Sequence, residues 1–100
     1  MQTAIRNRSA TAMDLHQYGR RLLAEKKDRE ALEIFRLNSE RNGDEWPVHV
    51  GLARGYAANG DAKQALEHAR KALAQAPDAL NRQSLEAMVT ALEAGRPIAQ

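Results

Sequence analysis

One hundred residues make a single domain, long enough to bury one core without staples. The apolar fraction of 43% contains only one Phe, one Trp and two Tyr, so Ala and Leu carry it, and the scarcity of β-branched residues argues against a sheet. A net charge of +2 with no long run of one sign excludes the dense basic surface of a nucleic-acid binder, the absence of Cys excludes disulfides and thiolate metal sites, and no apolar run is long enough to span a membrane.

Residues 1–10 show no period and no signal-like apolar core, and they read as a flexible lead-in or an extension of the first helix. Thr11 and Asp14 have the spacing of a capping box. From there Leu15, Tyr18 and Leu22, with Ala12, Gly19 and Leu23, fall on one helical face that runs to about Glu25 or Lys26. Lys26-Lys27-Asp28 is a polar break without Gly, and Asp28 is expected to cap the second helix. That helix shows Ala31, Leu32 and Phe35, then Leu37 or Asn38, and Gly43 suits its C-terminal cap. Pro47 fits the first turn of a third helix, whose face is marked by Val48, Leu52 and Tyr56. Asn59-Gly60 closes it and Asp61 caps a fourth, with Ala65, Leu66, Ala69, Ala72 and Leu73 as its stripe. Pro77 stops the fourth helix. Asp78 caps a fifth that contains Leu80, Leu85, Met88, Val89 and Leu92 and ends at Gly95 and Pro97.

The first two helices match the next two at a fixed offset. Ala31 and Ala65, Leu32 and Leu66, Leu22 and Tyr56, Gly19 and Ala53, Phe35 and Ala69, and Arg20 and Arg54 each stand 34 residues apart. A helix–turn–helix unit of this period is the tetratricopeptide repeat (TPR) spacing. The second unit, residues 46–79, carries Leu52, Ala53, Tyr56, Gly60, Ala65, Ala72 and Pro77 at the family's positions. The first, residues 12–45, carries Leu15, Tyr18, Gly19, Leu22, Ala31 and Phe35, with Asn38 in place of the second Ala and Gly43 in place of the Pro. Residues 11–95 thus resemble two tetratricopeptide repeats and a C-terminal capping helix, 80–94, in which Ala87 takes the small-residue position. Residues 96–100 form a tail. The resemblance implies an all-α, right-handed superhelix of five helices arranged in antiparallel pairs. The segment Ala31–Asn38, followed by Gly60-Asp61, also resembles short tetratricopeptide segments that end larger bacterial proteins, after a β-rich or serine-hydrolase domain.

No catalytic set stands out. His16, His49 and His68 have no second His three or four residues away, so no metal is expected. His49 reads as an inward-facing core or boundary residue, and His68 as lying near the outer surface. Ser9, Ser39 and Ser84 lie in no nucleophile elbow, and Gly51 and Gly55 lack the strand context of a phosphate loop. The chain reads as a non-enzyme that needs no cofactor.

What the resemblance implies instead is a concave face lined by the first helix of each pair. Met13, His16, Gln17, Arg20 and Leu23 stand at its groove positions in the first repeat, Pro47, Val50, Arg54 and Ala57 in the second, and Asn81, Ser84, Met88 and Ala91 in the capping helix. Of these, His16, Gln17, Arg20, Val50, Arg54, Asn81, Ser84 and Met88 are the candidate partner-binding residues. Equivalent Arg20 and Arg54 present two guanidinium forks suited to a carboxylate or acidic side chains. A protein or peptide partner of acidic character is expected, with neither nucleic acid nor membrane. The family's clamp for chaperone C-termini spreads Lys and Asn over three repeats; His16, Arg20 and Leu85 stand at its places here, so chaperone binding is not expected. Two rival readings are a homodimer seated on Ile5, Met13 or Ile98, and an appended C-terminal domain of a larger bacterial enzyme. The compartment is cytoplasmic by default, or periplasmic if the chain is a fragment.

Overall fold

The computed structural model describes residues 11–43 and 45–96; the lead-in, Ile5, Pro97 and Ile98 lie outside the described residues. Five helices follow one another: α1 (Ala12–Ala24), α2 (Asp28–Asn42), α3 (Trp46–Ala58), α4 (Ala62–Ala74) and α5 (Ala79–Glu93). The described residues are all-helical apart from the turns, and successive helices pack on each other. α1 also packs directly on α3.

Local chemistry sets the helix starts. At α1 the Thr11 hydroxyl accepts from the Asp14 N–H at 3.1 Å and the Asp14 carboxylate accepts from the Thr11 N–H at 3.0 Å, the reciprocal box expected. Asp61 and Asp78 cap α4 and α5 by accepting from the Gln64 and Asn81 N–H groups. Asp28 departs from expectation. It is the first residue of α2, preceded by Lys27, and its side chain makes no cap bond.

The helix ends carry the repeat in their hydrogen bonds. The N–H groups of Lys27, Asp61 and Arg96 donate to the carbonyls of Leu22, Tyr56 and Ala91, and Lys26, Gly60 and Gly95 in front of them take positive φ of 62°, 83° and 72°. The first two closures are 34 residues apart, whereas the third follows Gly60 by one residue more. This slip corrects the register expected for α5. Ala87 is exposed, while Met88 and Leu85 are buried against the cluster that holds Ala53 and Val50. Leu80, placed on the α5 stripe by its spacing, is 74% exposed.

Two apolar clusters meet across α3. Ala12, Leu15, Leu22, Leu23, Ala31, Ile34, Phe35, Val48 and Leu52 join α1, α2 and α3. Val50, Ala53, Ala65, Ala69, Ala72, Leu85, Met88 and Leu92 join α3, α4 and α5, and Tyr56 packs against both. The Val48, Leu52 and Tyr56 stripe therefore understates α3. Residues 48–53 are buried without a break because helices cover α3 on several sides.

Three glycines make room for the largest buried side chain. Phe35 is fully buried, and a Cβ placed on Gly19 of α1 or Gly51 of α3 would overlap its ring. A Cβ on Gly55 would come within 2.8 Å of it. Beside this slot Asn38 is the α2 residue that points inward, resolving the alternative between Leu37 and Asn38. Its amide donates to the Ala12 carbonyl at 2.9 Å, and its oxygen accepts from Asn42 at 2.7 Å. An amide where the repeat pattern has Ala thus ties α2 to the first turn of α1.

Candidate functional site

The candidate residues fall into two groups by burial. His16, Val50 and Met88 are 7%, 5% and 7% exposed, so they are buried side chains and not surface groups open to a partner. Gln17, Arg20 and Ser84 are exposed, and Arg54 and Asn81 are half-buried. Met88 sits below the surface because of the α5 register: it is buried in the cluster that joins α3, α4 and α5, whereas Ala87, which the even repeat spacing made the equivalent of Ala53, is exposed. The Asn81 side chain is turned to its own helix start, where its amide donates to both Asp78 carboxylate oxygens at 3.1 Å.

His16, Arg20 and Arg54 form one electrostatic unit. His16 and Arg20 are one turn apart on α1, and Arg54 stands on the adjoining α3. Burial lowers the His16 pKa from 6.5 to about 4, with smaller contributions from Arg54 and Arg20. A hydrogen bond to the Pro47 backbone, whose one polar group is a carbonyl acceptor, opposes that shift. Nδ1 of His16 is buried with no hydrogen-bond partner among the described residues, which leaves Nε2 as the donor to Pro47. His16 is therefore neutral at pH 7. Its burial contributes stability that is complete above pH 6.5 and is lost as pH falls toward 4, roughly 3 kcal/mol in all. Burial, then the charge of Arg20, also holds Arg54 below the usual arginine range. Two guanidinium groups from successive hairpins are thus near enough to repel each other, over a buried neutral imidazole.

A second constellation lies on the other side of α3. Leu52 and Tyr56 flank Arg54 in sequence but face away from it, two residues being more than half a helical turn. They line a cleft of about 260 Å³ with Arg36, Ser39 and Glu40 of α2 and His68 of α4. His68 is half-buried rather than outward-facing. Its Nδ1 lies 3.1 Å from Nδ1 of His49, and its ring is parallel to Tyr56 within 7°, centroids 5.7 Å apart. The burial of His49 agrees with expectation; the partner does not, because a search for neighbours three or four residues away cannot see a contact across a hairpin. The available signal was position: His49 and His68 stand at comparable distances on either side of the Gly60 turn.

Among the described residues no group of three His, Asp, Glu or Cys side chains is arranged to hold a metal ion, and no helix is long and apolar enough to cross a membrane. Comparison with protein-family models, curated proteins and solved structures gives no match.

Proposed function

We propose that the chain is a tetratricopeptide-type interaction module, without catalysis of its own, that captures an acidic peptide segment or the acidic surface of a neighbouring domain on its α1–α3 face. The observation that carries this reading is the convergence of Arg20 and Arg54, from equivalent positions of successive hairpins, over His16. Two guanidinium forks close to each other suit a carboxylate that bridges both. Gln17 adds an exposed hydrogen-bonding group on α1.

The test is a selection from a random peptide display library, followed by affinity measurements on the enriched peptides. Acidic sequences are expected, with binding that weakens as salt rises. Hydrogen bonds to charged groups contribute roughly 1.5–3 kcal/mol each, so loss of both forks lowers affinity by about 100-fold or more. Arg20→Glu combined with Arg54→Gln makes that change without placing a carboxylate at the half-buried position. Enrichment of neutral or basic peptides, or affinity unchanged in a folded double variant, rejects the reading.

A further inference from the structure

The contact between His49 and His68 is a head-on one. Their ring centroids are 5.3 Å apart, close to the 3.1 Å Nδ1···Nδ1 distance plus the two ring radii, so both nitrogens lie nearly on the line joining the ring centres. The ring planes differ by 23°. Near-coplanar rings meeting nitrogen to nitrogen have the geometry of one N–H···N hydrogen bond, in which one Nδ1 carries the proton and the other offers its lone pair. A metal ion does not fit between them, since a metal–imidazole bond of about 2.0–2.1 Å on each side needs a wider gap along that line. One of these rings is buried at 4% exposure, and the two helices that carry them, α3 and α4, make the most extensive contact of any pair in the fold.

We propose that His49 and His68 are a proton-operated latch between α3 and α4: one proton lying between the two Nδ1 atoms holds the hairpin closed, the first added proton goes to the donor ring's Nε2 and leaves that bond in place, and the second, which puts a proton on both Nδ1 atoms, drives the rings apart and opens the hairpin beside the Arg36–Glu40 cleft. The physical cause is geometric. When both Nδ1 atoms are protonated, two N–H groups point at each other at hydrogen-bond distance, and the contact that joined the helices becomes repulsive. Tyr56, parallel to the His68 ring, keeps that ring from turning away without loss of its own packing.

The charged surroundings are mixed. Arg36 and Glu40 of α2 share the cleft with His68, and Glu45 stands one turn before His49. On α4, Glu67 and Lys71 pair with each other at 3.9 Å, and Arg70 engages Glu93 of α5. From α1, Arg20 acts on the Arg54 side of α3. Asp44, in the connection before α3, lies outside the described residues.

The test is an imidazole nitrogen NMR titration of the wild-type protein from pH 8 to pH 4, with hydrogen exchange on the same samples. At pH 8, one of the two histidines is expected as the Nδ1–H tautomer and the other with bare Nδ1. Protonation of the pair runs in two separated steps, and α3 and α4 lose amide protection at the second step before α2 does. In His68→Gln, His49 titrates in a single step. The site-resolved readout keeps the pair distinct from His16, which titrates on its own. Both rings in the same tautomer at pH 8, independent titrations unmoved by loss of the partner, or full protection of α3 and α4 through the second step overturns the proposal. Because the wild-type titration needs no substitution, the outcome holds even if His68→Gln fails to fold.

Discussion

The residue that most constrains its neighbours is Phe35. Its ring fills a slot that exists only because Gly19, Gly51 and Gly55 have no side chains. Glycine in a helix costs about 1 kcal/mol relative to alanine, so three of them around one ring mark a site where space outweighs propensity. Gly51→Ala gains that propensity but forces a methyl group into the ring, and overpacking of this kind costs roughly 1–3 kcal/mol. The expected result is net destabilisation, seen as a melting point lower by several degrees. The diagnostic is the double variant. Phe35→Leu should cost less in the Gly51→Ala background than in the wild type, a non-additive cycle in urea titrations. Additive effects would show that Phe35 does not set the need for glycine at 51. The spacing made Phe35 legible as core, but it did not reveal the slot, because Gly19, Gly51 and Gly55 converge from two helices and share no local pattern. Arg20 and Arg54 were legible for the opposite reason: the period alone places them at equivalent positions of α1 and α3, helices that pack on each other.

At the scale of the helices, the repeat is written in the turns as much as in the apolar stripe. The same closure ends α1, α3 and α5, with its left-handed residue at Lys26, Gly60 and Gly95. Gly60 and Gly95 adopt that conformation without strain, whereas a residue with a Cβ pays about 1–2 kcal/mol for it. Lys26→Gly therefore removes strain at a position where no side-chain contact is given up to the core, Lys26 being exposed. Against this stands the larger unfolded-state entropy of glycine. The expected net gain is about 0.5–1 kcal/mol, a rise of a few degrees in melting temperature by circular dichroism. A fall would mean that the turn depends on the lysine side chain. The one-residue slip before α5 was also readable, since Gly95 follows Gly60 at 35 residues rather than 34. Counting from the small-residue position hid it, because Ala87 and Met88 are both acceptable helix residues and only burial in the folded cluster tells them apart. For Asp28 the local signal misled: carboxylate chemistry suits a cap, but the backbone closure at Lys26-Lys27 brings the helix start forward by one residue.

For the whole molecule, the decisive relation is between α5 and the rest. The fold measures 38 × 27 × 19 Å, and among the described residues its second cluster is completed by α5. Beneath α5 lie Val50, Ala53, Ala65, Ala69 and Ala72, whose small side chains bring α3 and α4 close together but bury little area each. Leu85, Met88 and Leu92 supply the bulk, about 1.5–3 kcal/mol per side chain and so roughly 5–9 kcal/mol together. A domain of this size is stable by only about 5–15 kcal/mol in all. Truncation before Ala79 should therefore remove most of the stability, leaving no cooperative urea transition in a dilute sample. The loss should spread to α1 and α2 as well, because α3 belongs to both clusters and Tyr56 packs against each. Concentration separates this outcome from its rival. If a second copy can take the place of α5, the truncated chain regains a cooperative transition whose midpoint rises with protein concentration, and the uncovered α3–α4 face is then a self-association surface. A truncated chain that unfolds cooperatively at a midpoint independent of concentration would show that α1–α4 hold themselves together without α5.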